Sequence, residues 1–235
     1  MANSTSITYR LKRKILTFTN KISRTASAPD RKFITDIVYG ILASKSCLLT
    51  DIVDQLHEPA QKIHSVDRLS RHLKKGIPAS VSISYLQTVK KMIPSAPVVL
   101  IDESDVVKPE GKQFESLGIV RDGSESTRTK NVYKKGYHVT EACALTATKH
   151  PVSIFSRIHS SAEKDYKSVN TITFDAIRQA AALFGKATFV MDRGYDDNKI
   201  FLMLDRLKQD YVIRLKSNRK LLYHRKWTMA TELRN

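Results

Sequence analysis

Apolar positions in the first part of the chain recur with a helical period. Phe33, Ile34, Ile37, Val38 and Ile41 fall at i, i+1, i+4, i+5 and i+8, one face of a helix. Asp30 stands before them as a candidate N-cap, and Gly40 weakens the last turn. TDIVDQL predicts a second helix opening on Thr50. SVDRLSRHLKKG predicts a third, from Ser65 to a stop at Gly76, with basic residues near the negative end of the helix dipole. Residues 31–92 therefore read as a helical domain, closed by Pro94 and Pro97.

Beyond that boundary the pattern changes. PVVLID is a short continuous apolar run, as in a strand buried on both faces. A long polar stretch follows, and then two strand-like segments, GYHVTEACALT and PVSIFSRIHS, separated by a turn at Lys149-His150-Pro151. SVNTITFDAIRQAAALFG predicts a helix with Ile172, Phe174, Ile177, Ala180, Ala181 and Phe184 on one side and Gly185 as its stop. ATFVMD is a second buried strand, DDNKIFLMLDRLKQ a helix and DYVIRLK a further strand. The order β-β-β-α-β-α-β predicts an α/β (α+β) layered domain with a mixed sheet over 93–235.

Composition adds a partner class. The chain has 235 residues, 41% of them hydrophobic, enough to fold around a core. Lys and Arg number 40 against 23 Asp and Glu, a formal charge of +17, which favours a polyanionic partner, nucleic acid first and an anionic membrane surface second. Residues 1–30 carry Arg10, Lys12, Arg13, Lys14, Lys21 and Arg24 with almost no acid, and read as a basic flexible arm that orders on a phosphate backbone. Arg68, Arg71, His72, Lys74 and Lys75 cluster on the third helix and suggest a helix-turn-helix-like DNA contact. The plain alternative is the charged outer face of a small bundle. No apolar run approaches the roughly 20 residues of a membrane span, and the start has no secretory h-region. Cys47 and Cys143 lack metal spacing and read as reduced, buried thiols of a cytosolic protein, and the scattered histidines suggest no zinc. Trp227, the lone tryptophan, reads as a core residue.

Two carboxylates stand where chemistry would use them. Asp102 closes PVVLID and Asp192 closes ATFVMD, so each lies at the C-terminal end of a strand, where open α/β sheets bind ligands. If the strands are neighbours, both acids share one crevice. Their repulsion is relieved by a cation between them, and Mg²⁺ takes such oxygen ligands. Asp at a strand end also serves as an ordinary cap. Asp105 competes for the first position if the strand runs further, and Asp196 or Asp197 suits a cap for the following helix.

The segments VLIDESDVVKPEGKQFESLGIVRDGS, KGYHVTEACALT, VMDRGYDD and YVIRLKSNRK together resemble the DDE transposases of bacterial insertion sequences, in their large cut-and-paste group, over about 95–220. The resemblance implies an RNase H-like catalytic domain behind a helical DNA-binding domain. It implies Asp102 and Asp192 as catalytic metal ligands for Mg²⁺ or Mn²⁺. A basic last strand along the DNA would carry Arg214, Lys216, Arg219 and Lys220, with Arg193 beside the second acid. The implied partner is double-stranded DNA at transposon ends, engaged with a second copy or an intact transposase. The implied setting is the bacterial cytoplasm at the nucleoid, with no membrane and no small-molecule substrate.

One departure matters. The family's third acid is a Glu on a later helix, in a Tyr-x2-Arg-x3-Glu-x6-Lys motif. Tyr211 and Arg214 match its start, but Asn218 takes the Glu position in a segment that reads as strand, and Glu232 has no such context. The sequence thus reads as the N-terminal part of a transposase, truncated before the third acid, its RNase H-like domain incomplete and the chain inactive alone. LLYHRKWTMATELRN would open the family's inserted β-rich segment. Two other readings stand beside this one. The first is a non-catalytic DNA-binding remnant that binds transposon ends or inhibits an intact transposase. The second is a phosphatase resembling the haloacid dehalogenases, which need Asp-x-Asp after the first strand, where this chain has Ser104.

Overall fold

The computed structural model describes residues 2–127 and 129–233. The chain forms two compact units, Met1–Val89 and Lys90–Asn235. The first is helical: α1 (Ala2–Ile22), α2 (Ala28–Ser44), α3 (Leu49–Leu56), α4 (Lys62–Lys75) and α5 (Ala79–Lys90). Ile22, Phe33, Ile34, Ile52, Val53, Leu69 and Val81 form its core.

The expected flexible arm is instead α1. Ile15, Thr19, Ile22 and Ser23 are buried, and Thr35 Oγ1 donates to Thr19 Oγ1 at 3.0 Å. Its inward stripe is short and partly polar, and the many cations on its outer face hide it in the sequence. Helix starts also differ from expectation. Ser27, not Asp30, caps α2: Asp30 N donates to Ser27 Oγ, while the Ser27 hydroxyl donates to Asp30 Oδ2 at 2.7 Å, a reciprocal cap. α3 opens on Leu48 without a side-chain cap, so Thr50 lies inside it. α4 begins at Lys62, and Ser65 is buried within it, donating to Glu58 Oε2 at 2.7 Å. Gly40 is a contact point rather than a weak turn, because a Cβ there would lie 2.3 Å from Ile52 Cγ2. No single described helix is long and apolar enough to cross a membrane.

The second unit is built on a six-stranded mixed sheet. Its strands are β1 (Val98–Val107), β2 (Gly118–Arg121), β3 (Tyr133–Leu145), β4 (Pro151–His159), β5 (Thr188–Met191) and β6 (Asp210–Ile213). β3 is long enough to pair with β2 along its first half and β4 along its second, on one side, and with β1 on the other. β1, β5 and β6 then run parallel. α6 (Val169–Phe184) leads from β4 into β5 and α7 (Asn198–Arg206) from β5 towards β6, and Ile172, Ala176, Ile177 and Ala180 of α6 are buried along with Val99, Ile101, Ala142, Ala144 and Phe189 of the strands. A hairpin of β7 (Lys220–Tyr223) and β8 (Lys226–Met229) forms a separate two-stranded sheet.

Four expectations are corrected here. β1 does not stop at Asp102 but continues to Val107, held by β3 after its pairing with β5 ends. β2 lies inside the long polar stretch after PVVLID, where the order β-β-β-α-β-α-β has no strand, four residues whose pairing partner is distant in sequence. The basic last strand is shorter than DYVIRLK: β6 ends at Ile213, so Arg214, Lys216 and Arg219 follow it in a loop. Trp227 is 71% exposed, since a two-stranded hairpin has no interior to receive it.

Candidate active site and nucleic-acid surfaces

The parallel pairing of β1 with β5 ends at Ile101 opposite Met191. The next residue on each strand is an acid, so Asp102 and Asp192 stand side by side where the two strands part. Both are exposed. Asp192 Oδ1 accepts from Gly194 N at 2.7 Å and caps a 3-10 turn, Arg193–Tyr195. A Cβ on residue 194 would lie 2.9 Å from Asp192 Oδ1, so glycine lets the chain fold back on the carboxylate. Asp102 Oδ1 accepts from Glu103 N at 2.9 Å. Both carboxylates are thus oriented by backbone donors and keep lone pairs for a ligand.

They border a cavity of about 300 Å³ whose other walls include Glu103, Asp105, His138, Asn170 and Tyr195. Asp105, the rival first acid, sits further along β1 opposite His138 on β3. His138 Nδ1 lies 2.8 Å from Glu103 Oε1 and 2.9 Å from Asp105 Oδ1, close enough for charge attraction but off the hydrogen-bond line. Behind it His159 is fully buried, stacked on His138 and on Tyr166, with Nε2 2.8 Å from Thr140 Oγ1. Burial holds the His159 imidazole below its ordinary pKa, and His138 adds to that. Burial pushes the Glu103 carboxyl up against the pull of His138, with Asp105 and Asp102 adding repulsion. Burial and the charges of Glu103, Asp102 and Asp192 raise the Tyr195 phenol, so it stays a donor at neutral pH. Sequence inspection missed this Glu103–His138–Asp105 group. It depends on the β1–β3 register, which no local motif announces.

The acids after Asp192 divide their roles. Asp197 caps α7, its Oδ1 accepting from Lys199 N at 2.7 Å. Asp196 is buried and accepts from Arg219 Nε and from Lys216 N, each at 2.7 Å, while Arg219 Nη1 donates to Asn198 at 2.6 Å. A shallow cavity of about 400 Å³ beside this clamp is lined by Lys216, Asn218, Arg219, Lys220 and Trp227. Arg193 lies in the 3-10 turn and Arg214 just after β6, both exposed.

The basic residues expected to touch DNA from α4 are not equivalent. Arg68 Nη2 lies 2.8 Å from Asp36 and 3.0 Å from Glu58, and Lys75 Nζ lies 2.7 Å from Asp30. These two are tied into the unit's own ion pairs. Arg71 and Lys74 are exposed and make no ion pair among the described residues. The two cysteines are free, as expected, but Cys47 is exposed and Cys143 only half-buried, contrary to the expectation of two buried thiols.

A mixed sheet with parallel neighbours, helices alternating with its later strands and two acids where adjacent parallel strands part defines an RNase H-like transposase domain. Residues 93–234 match the family described as Transposase DDE domain, and the chain belongs to that family. Its function is therefore that of a transposase, in a family that works on DNA and generally uses divalent metal ions. No curated protein matches the chain.

Proposed function

We propose that this chain acts on the DNA ends of a bacterial insertion sequence, using Asp102 and Asp192 to hold Mg²⁺ or Mn²⁺. The observation that carries the reading is the register: Ile101 pairs with Met191, and an aspartate follows each. Two exposed carboxylates side by side repel, and a hard cation relieves that repulsion with the oxygen ligands it prefers. The donor set thus fits the ion. When bound, the ion supplies charge stabilisation for in-line displacement at phosphorus. Asp102 and Asp192 serve as ligands, aimed by the N–H groups of Glu103 and Gly194. Arg193, Arg214, Lys216 and Lys220 hold the DNA backbone near the acids. Arg71 and Lys74 supply phosphate contacts from the helical unit, where Arg68 and Lys75 chiefly shape the surface. The DNA would be engaged by two copies, or by this chain beside an intact transposase, in the bacterial cytoplasm.

A second reading, a DNA-binding protein that does not cut by itself, is favoured by one observation. The motif position of the third acid is Asn218, in a turn after β6 and not on a helix.

The test is duplex DNA affinity of the full chain with and without Ca²⁺. The expected result is tighter binding with Ca²⁺, with that increment absent in Asp102→Asn and Asp192→Asn. An increment that survives both substitutions refutes the metal assignment. Nicking of supercoiled DNA in Mn²⁺ separates the two readings: the cutting reading requires nicks lost in either variant, the non-cutting reading none.

A further inference from the structure

Tyr195 is the anomaly of the cavity. The residue is 6% exposed, and its hydroxyl is buried without a hydrogen-bond partner. Native proteins rarely leave a buried O–H donor unpaired, because it has given up water for nothing. Tyr195 lines the cavity that Asp102, Glu103 and Asp192 border, and all three charges bear on its hydroxyl. They also keep it protonated, so it offers a hydrogen rather than takes one.

The nearby carboxylates do not accept from it. Glu103 Oε1 lies against His138 Nδ1, Asp192 Oδ1 against Gly194 N and Asp102 Oδ1 against Glu103 N. A hydrated cation would not satisfy the hydroxyl either, since metal-bound water presents hydrogens outward. An anionic oxygen brought in from outside would pair with it. A second donor feature faces the same space. The first turn of α6, with Val169 and Asn170, lines the cavity and turns the positive end of its dipole to it. Acids on one wall and donors on the other suit a cation and a phosphate group together.

We propose that Tyr195 is a phosphate-binding residue, its hydroxyl donating to a non-bridging oxygen of the phosphodiester that occupies the cavity beside Asp102 and Asp192. This rests on the metal reading above and adds to it the group that fixes the phosphate against the ion. The hydroxyl remains unpaired until substrate enters, so its hydrogen bond is spent on binding rather than on folding.

The experiment uses the full chain with Mn²⁺ and dimethyl phosphate as probe. Phosphorus-31 relaxation reports only phosphate close to the bound ion, which removes binding at the many surface cations. Tyr195→Phe is expected to keep the Mn²⁺ affinity of the unaltered chain and to lose roughly ten-fold in dimethyl phosphate affinity. Its melting temperature is expected to hold or rise, because an unpaired buried donor has been removed. Unchanged phosphate affinity in Tyr195→Phe with Mn²⁺ bound overturns the assignment while leaving the metal reading intact. A lower melting temperature with unchanged phosphate affinity also overturns it, and assigns the hydroxyl to a structural water. Failure of the unaltered chain to bind Mn²⁺ removes the metal reading and this assignment with it.

Discussion

Arg219 Nε donates to the buried carboxylate of Asp196 at 2.7 Å and ties the loop after β6 to the turn after Asp192. Lys216 joins the same clamp, its N–H donating to Asp196 Oδ2 at 2.7 Å. The clamp stabilises a charge that burial alone would disfavour. Burial pushes the Asp196 carboxyl up, but Arg219 and the Lys216 N–H outweigh it and leave its pKa lowered. Arg219→Ala leaves that buried charge unpaired and is expected to cost about 2–3 kcal/mol in urea denaturation. Asp196→Asn with Arg219→Gln should cost less than either change alone.

Stability should fall in acid through Glu58. Lys32, Ser65 and Arg68 hydrogen-bond its carboxylate and lower its pKa to about 2 from 4.5, against burial. A lowered folded pKa means the charged form is favoured by the fold. The stabilisation is fully present above the unfolded value and is lost as pH falls from about 4.5 towards 2. Glu58→Gln is expected to flatten that part of the stability–pH curve. A curve unchanged between those pH values would show that the cluster of Glu58 with Lys32 and Arg68 adds nothing.

Gly40 makes a packing prediction with a built-in control. Alanine usually favours a helix interior over glycine by up to about 1 kcal/mol. Here the new methyl would meet Ile52 Cγ2, so Gly40→Ala is expected to destabilise by about 1–3 kcal/mol instead. In an Ile52→Ala background the same substitution should be neutral or stabilising. Thermal melts of the four chains decide it.

The two kinds of α4 cation should separate in DNA binding. Arg71→Ala and Lys74→Ala are expected to lower affinity uniformly across sequences, reduce the salt slope by about 1 each and leave stability unchanged. Arg68→Ala should lower stability, because it strips partners from Asp36 and Glu58. Loss of stability in all three would assign the whole cluster to folding.

What the sequence disclosed followed from what is local. An apolar run ending in aspartate, twice, singled out Asp102 and Asp192, because the buried part of each strand is written in consecutive residues, although β1 runs on past Asp102 to Val107. Gly185 and the turn before Pro151 were legible for the same reason. The misses share a different cause. β2 exists only because Gly118–Arg121 meets the first half of β3. His138 meets Glu103 and Asp105 only through the β1–β3 register. α1 was masked because its cations dominate its composition, while burial depends on a stripe as slight as Ile15, Thr19 and Ile22. Arg68 and Arg219 looked like free DNA contacts because their acidic partners lie in other elements.

The central claim is that the aspartates following Ile101 and Met191 make one cation site. Titration of the full chain with Mn²⁺, followed by the loss of the free-ion paramagnetic resonance signal, tests it most directly. The expected result is a site in the unaltered chain that weakens at least roughly ten-fold in both Asp102→Asn and Asp192→Asn, while Asp105→Asn binds as before. Equal Mn²⁺ binding by the unaltered chain and the Asp102 and Asp192 variants would contradict it.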